Sequence, residues 1–134
     1  MEDNRYFSLN YQQVVSGTTV VSVASVEVKI GDEFVRGHHS GDGPIDAIFN
    51  AINAITETES KLKDFSVNAL TDGTNARGEV TVRLQEGDIV ATGKAVDRDI
   101  LIASGKAYID GLNRLEFAKN NLKKERISSV MVAV

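Results

Sequence analysis

The sequence predicts an α+β domain built from two βββα units, each an antiparallel sheet followed by one helix, packed together as one domain. Three observations lead there: self-similarity at a fixed spacing, apolar alternation around glycine-containing turns, and two apolar stripes of helical period. Shifted by 56 places, Val26-Glu-Val-Lys-Ile-Gly-Asp32 falls on Val82-Arg-Leu-Gln-Glu-Gly-Asp88. The register continues through Gly37/Gly93, Ile45/Leu101, Ala47/Ala103 and Ala51/Ala107. Upstream, Phe7-Ser-Leu-Asn10 is similar to Phe65-Ser-Val-Asn68 at a spacing of 58, which implies two residues gained or lost in between. A repeat of this size marks a supersecondary unit that does not bury its apolar face alone. The units span residues 6–57 and 61–118, and 119–134 form a tail.

In the first unit the opening strand runs from Tyr6 to Val15. The second carries Val20-Val-Ser-Val-Ala-Ser25 into Val26 and Val28, and its apolar phase slips near Ala24-Ser25, the signature of a β-bulge. Ile30-Gly-Asp32 is a hairpin turn, with glycine free to take positive φ, and Glu33-Phe-Val-Arg36 returns as the third strand. Pro44 then opens a helix: its fixed φ suits the first helical position, its missing N–H is no loss there, and Asp42 or Gly43 is the cap. Ile45, Ile48, Phe49, Ile52 and Ile55 form its core-facing stripe.

The second unit opens with a strand from Leu62 to Leu70 and a long exposed hairpin loop, Thr71 to Gly78. Glu79 to Gln85 alternates strictly, with Val80, Val82 and Leu84 on one face, and after Glu86-Gly-Asp88 the chain returns as Ile89 to Gly93. The second helix is expected from about Asp99 to Ala118. Ala103, Ser104, Gly105 and Ala107 keep its first turns slim, and apolar residues nearly encircle it, so it needs cover on two sides. A twofold-related copy of the chain is the economical second cover. Asn120 to Arg126 reads as the solvated end of this helix. Ile127 to Val134 is strand-like, either pairing with a sheet edge or standing as a loose remnant.

Composition narrows the function classes. The 134 residues contain no cysteine, which excludes disulfides, a thiol nucleophile and thiolate metal centres. A net charge of −4 offers no basic patch for nucleic acid or an anionic membrane. The acidic start is unlike a signal peptide and no window reaches the length of a membrane span, so a cytoplasmic module is expected. His38 and His39 are strand neighbours facing opposite ways and do not make a shared metal site, and no carboxylate pair suits acid–base work. Gly37, Gly41 and Gly43 are wrongly spaced for a dinucleotide fingerprint.

Two stretches, Gly41-Asp-Gly-Pro-Ile-Asp-Ala47 with Ile48-Phe-Asn-Ala-Ile52, and Gly93 to Tyr108 with Leu112-Asn-Arg114, resemble the C-terminal regulatory domain of the 2-isopropylmalate synthase family, which includes citramalate and homocitrate synthases. The likeness runs over about residues 6 to 118. It implies a pseudo-twofold pair of βββα units that dimerises and binds the pathway's end-product amino acid, leucine or, in citramalate synthases, isoleucine. It also implies that acetyl-CoA condensation belongs to a separate metal-dependent TIM barrel absent from this chain. On this resemblance the chain is not an enzyme by itself, needs no cofactor, and has the catalytic barrel and a second copy as partners.

An amino-acid site needs donors for a carboxylate, an acceptor for an ammonium and an apolar slot. Backbone N–H groups in the segment Gly41, Asp42, Gly43, Pro44 and Ile45, of which Pro44 alone has none, lie at a helix start and suit the carboxylate. Asp42, Asp97 or Asp99 is the candidate acceptor. The slot is drawn from Ile45, Ala47, Ile48, Val67, Ala69, Ile102 and Ala103. The competing reading is a dimerisation module without ligand, in which the Gly-Asp-Gly-Pro segment is a plain turn and cap.

Overall fold

The computed structural model describes residues 6–72 and 75–133. The element order is β1 (Phe7–Val15), β2 (Ser22–Ile30), β3 (Glu33–Gly41), α1 (Pro44–Thr56), β4 (Lys61–Asp72), β5 (Asn75–Glu86), β6 (Ile89–Asp97) and α2 (Ile100–Ala133). The predicted order of strands and helices is thus observed twice. Each trio of strands makes its own antiparallel sheet, ordered β1-β2-β3 and β4-β5-β6. The β2–β3 and β5–β6 hairpins close through Gly31 and Gly87, at φ of 63° and 61°, which is why glycine stands at both turns.

Two details of register differ from the expectation. β2 alternates regularly from Ser22, with Ser22, Ala24, Val26 and Val28 buried, and carries no bulge at Ala24-Ser25. The apparent slip came from Val23, an apolar residue on the outward face beside the small inward Ala24. The bulge lies instead in β1, where Asn10 is the extra residue between the pairs Leu9–Val28 and Tyr11–Glu27. β4 has its own at Lys63, between Leu62–Leu84 and Asp64–Arg83. Aligned on partners and bulges, Leu9 corresponds to Leu62 and Gln12 to Phe65, a spacing of 53, so the Phe7/Phe65 likeness is not the structural correspondence. The three-residue difference from 56 is taken up in the β4–β5 hairpin. Its strands pair out to Asp72–Asn75, so most of the expected Thr71–Gly78 loop is ladder.

The helices run in the same direction. α1 folds back along β3, with Gly41 against Ala47 and Gly37 against Ile55, and is antiparallel to it. α2 is antiparallel to β1, with Leu101 near Gln12 and Asn113 near Phe7. Since β1 and β3 are parallel, both helices begin at one end of the molecule.

Glycines set how closely these layers approach. A Cβ on Gly93 would overlap the Ala107 carbonyl and the Gly111 nitrogen, so α2 lies backbone to backbone on β6. On its other side α2 is covered by the first unit: Gly105 abuts Leu9 and Gln12 of β1, and Tyr108 stacks on Phe49 of α1. The second cover demanded by its all-round apolar surface is intramolecular. Val26, Val28, Ile48 and Ile52 of the first unit and Val80, Val82, Leu84, Leu112 and Leu115 of the second share one core cluster. Each such side chain contributes about 1.5 to 3 kcal/mol by leaving water.

α2 also continues well past Ala118, through the segment expected to be a strand-like tail, to Ala133. Asn120 to Arg126 contains no glycine or proline, so nothing local stops the helix. Residues 121–128 are exposed, and Val134 lies outside the described residues.

Candidate functional site

The first helix start is built from β3 and α1. Gly41 ends β3 where any Cβ would overlap the Ala47 nitrogen, so the strand passes directly over the first helical turn. Gly43 is the N-cap, extended at φ −167° and ψ 177°, and its carbonyl accepts the Ala47 N–H at 3.0 Å. No side chain caps this helix, and Pro44 follows at once. The Asp42 N–H donates to Asp46 Oδ2 at 2.9 Å, while Asn50 donates to the Ser40 carbonyl at 3.1 Å and steadies the end of β3. Ile45 is half-buried against the core. His38 and His39 are both exposed on β3 just before this turn.

The second helix start is built differently. Asp97 Oδ1 accepts the Asp99 N–H at 2.9 Å, and its other oxygen lies 3.4 Å from Lys106 Nζ. The Asp99 N–H and then the Lys106 ammonium hold the Asp97 carboxyl below its ordinary range. Asp99 Oδ1 accepts the Leu101 N–H at 2.8 Å and its carbonyl accepts the Ala103 N–H at 2.9 Å. These two carboxylates, candidate acceptors for a ligand ammonium, are already turned onto backbone donors of their own helix.

Beside that second start, Val67 and Ala69 face the helix side of β4. Opposite Ala69 is Gly78, where a Cβ would come within 2.9 Å of Ile100 Cγ1 and 3.7 Å of Val67 Cγ1. α2 covers β5 and β6, leaving Val67 38% and Ile100 40% exposed, an uncovered apolar strip. Phe65 of β4 is half-buried, through an edge contact with Phe49 at 6.0 Å. Phe49 corresponds in the repeat to Gly105, and Phe65 to Gln12. Two rings separate α1 from β4 where a glycine and an amide let α2 close on β1.

The parallel helices therefore bring the Gly41–Ile45 and Asp97–Ile102 segments to one end of the molecule, with Val67 and Ala69 on the strand alongside. Ala47, Ile48 and Ala103 are each 0% exposed and belong to the core beneath, with Ile102 half-buried. A cleft of about 800 Å³ opens elsewhere, between β1 and β6 over Ile109, Asn113 and Phe117 of α2, and contains none of the predicted residues. Gln12, which donates to the Leu101 carbonyl at 2.9 Å, and Gly78 were missed. Aligning the strands on their partners rather than on Phe7 and Phe65 is the step that brings Gln12 into view. Among the described residues no group of three or more His, Asp or Glu is placed to hold a metal ion, and no helix is long and apolar enough to cross a membrane.

Fold and helix arrangement define the class: a duplicated βββα module whose two helix starts share one end. Residues 1–116 match the LeuA allosteric (dimerisation) domain. The chain belongs to that family. Among its relatives, the 2-isopropylmalate synthase of Dechloromonas aromatica (strain RCB) is 41% identical over 123 residues, 92% of this chain and 24% of the relative. Those of Syntrophus aciditrophicus (strain SB) and Caulobacter sp. (strain K31) are 42% and 43% identical, over 88% and 84% of this chain and 23% and 21% of theirs. The chain spans about a quarter of the length of the relatives it matches.

Proposed function

We propose that this chain is the effector-binding regulatory part of a 2-isopropylmalate synthase and that it binds leucine, the feedback signal of leucine biosynthesis. In the whole enzyme it works as a homodimer beside a catalytic TIM barrel that condenses acetyl-CoA with a 2-oxo acid. The observation that carries the reading is the shared end of the parallel helices. There the α1 start has a glycine cap with no side chain over it, and the α2 start has Ile100 beside Gly78 and the uncovered Val67 of the neighbouring strand. The backbone N–H groups of Gly43 and Ile45 suit a carboxylate, Val67, Ala69 and Ile45 suit a branched side chain, and Asp42 is the exposed acidic residue nearest in sequence for the ammonium.

An effector acts only through unequal affinity for two arrangements of the domains, with couplings of about 1 to 3 kcal/mol. Isoleucine in a citramalate synthase is the second reading, since leucine and isoleucine differ only in branching and are separated by pocket shape. Calorimetric titration with leucine, isoleucine, valine and 2-oxo acids tests the proposal. Heat with leucine at the lowest concentration is the expected result, heat with isoleucine alone selects the second reading, and no heat with any of them leaves a dimerisation module.

A further inference from the structure

The Leu112-Asn-Arg114 motif has no part in the proposed ligand site, yet its asparagine makes the most exacting polar contact between the two units. Asn113 is 8% exposed. Its Oδ1 accepts the N–H groups of Tyr6 and Phe7 at 2.8 and 2.7 Å, and its Nδ2 donates to the Phe7 carbonyl at 2.8 Å. β1 is the edge strand of its sheet, and at Phe7 the Asn113 amide supplies the donor and acceptor that a neighbouring strand would. About two helical turns further on, Asn120 donates to the Tyr6 hydroxyl at 2.6 Å.

The contact has no counterpart in the first unit. The residue matching Asn113 in the repeat is Glu57, beyond the end of α1 and in the left-handed region at φ 53°. Ser60, the match of Phe7, precedes β4. Among the described residues, β1 is the strand fastened this way.

α2 holds β1 at a second point, in its first turn, where Gln12 donates to the Leu101 carbonyl. Between the two points Gly105 presses on β1, with a Cβ there reaching within 3.1 Å of Leu9 Cδ2. A continuous helix from Leu101 to Asn113 is a rod of about 18 Å. Its upper end lies at the proposed ligand site and its lower end grips the backbone leading into β1.

We infer that Asn113 is a latch, a positioning residue through which occupancy at the helix starts sets the position of the segment entering β1. The inference rests on the proposed leucine site. Leucine packed against the exposed Ile100 at the start of α2 shifts that helix along its axis, and the amide carries that shift to Tyr6 and Phe7.

Hydrogen exchange of the whole chain, with and without leucine, tests this beside calorimetry on the same samples. Leucine is expected to change exchange at the Tyr6 and Phe7 amides by roughly tenfold, within the usual range of allosteric couplings. In Asn113→Leu, leucine is expected to bind still and to alter exchange at Gln12 but no longer at Tyr6 and Phe7. Binding heat with no change at Tyr6 and Phe7 in the unmodified chain overturns the latch and leaves the sensor standing. So does an unaltered response in Asn113→Leu. Absence of heat overturns both. If Asn113→Leu does not fold, the unmodified chain alone decides, and Asn113→Asp, which keeps the acceptor for both N–H groups and loses the donor to the Phe7 carbonyl, is expected to retain part of the response.

Discussion

Tyr108 of α2 stacks on Phe49 of α1 with ring centroids 4.4 Å apart and 20° from parallel, and its hydroxyl donates to Asn53 Oδ1 at 2.8 Å. This is the aromatic joint between the units, and Tyr108 is 1% exposed. Tyr108→Phe keeps the stack and loses the hydrogen bond, at an expected cost of about 1 kcal/mol in denaturant unfolding. Tyr108→Ala opens a cavity and is expected to cost about 3 to 5 kcal/mol. Burial raises the Tyr108 hydroxyl's pKa, so its neutral form contributes stability that is lost as pH rises past about 10. Tyr108→Phe should therefore show a shallower alkaline loss than the unmodified chain.

Gly37 and Gly93 occupy the same place in the repeat but face different neighbours. A Cβ on Gly93 overlaps backbone atoms of Ala107 and Gly111, whereas on Gly37 it overlaps the Ile55 side chain. Gly93→Ala is expected to destabilise by about 3 kcal/mol or more, because α2 has to lift off β6. Gly37→Ala is expected to cost about 1 to 2 kcal/mol, since Ile55 can repack. Chemical unfolding of the two variants side by side checks the ordering, and equal costs would contradict the close backbone approach at Gly93.

Gly43 separates cap from ligand site. Its φ of −167° is extended backbone open to any residue, and a Cβ there meets nothing within 4 Å. Gly43→Ala should shift stability by less than about 1 kcal/mol, the scale of a changed N-cap. A methyl in the proposed carboxylate seat should nonetheless weaken leucine binding by about tenfold or more. Unchanged affinity in this variant would move the site away from the α1 start.

The Asp97 carboxyl, held down by the Asp99 N–H and by Lys106, gives a pH test of the α2 cap. A depressed folded-state pKa contributes stability that is full above the unfolded value of about 3.9 and is lost as pH falls through the folded one. Asp97→Asn should be somewhat less stable than the unmodified chain at pH 7 and should lose less on acidification below about pH 4. Thermal unfolding from pH 7 to pH 2 reads this, and parallel curves would mean that the carboxylate does not seal the helix.

Beyond Asn120, α2 leaves the sheets behind. Residues 121–128 are exposed, while Lys119 still pairs with Glu86 at 2.5 Å and Glu116 at 3.0 Å. Ending the chain at Asn120 should lower the helical signal in circular dichroism and leave the unfolding midpoint within a few degrees. Exposed turns add little when no packed face supports them.

Much of this architecture was legible because the repeat and the local chemistry agreed. Val80, Val82 and Leu84 alternate and are buried, Gly31 and Gly87 sit in tight turns, and Pro44 starts its helix where its ring fits. The β1 register was not legible. Phe7 and Phe65 share a letter but not a place, and a bulge is visible only through partners on the next strand. The end of α2 was missed for a related reason: Ile127 to Val134 is apolar enough to suggest a strand, but no glycine or proline interrupts the helix before it. At the candidate site, Gly41 to Ile45 and Asp97 to Asp99 were expected from helix-start chemistry, and both segments do lead into helices. Ala47, Ile48 and Ala103, apolar residues on the same turns, lie in the core, because periodicity does not distinguish a slot from the packing beneath it.

The paired bulges at Asn10 and Lys63 bear on how the two halves diverged. An extra residue at the same place in each strand keeps the register toward the next strand, so the difference in hairpin length does not slide the strand. The two copies share the position of the extra residue and not its identity: asparagine in one, lysine in the other. The β4–β5 hairpin takes up three more residues than its counterpart while the side chains paired along the shared ladder keep their places.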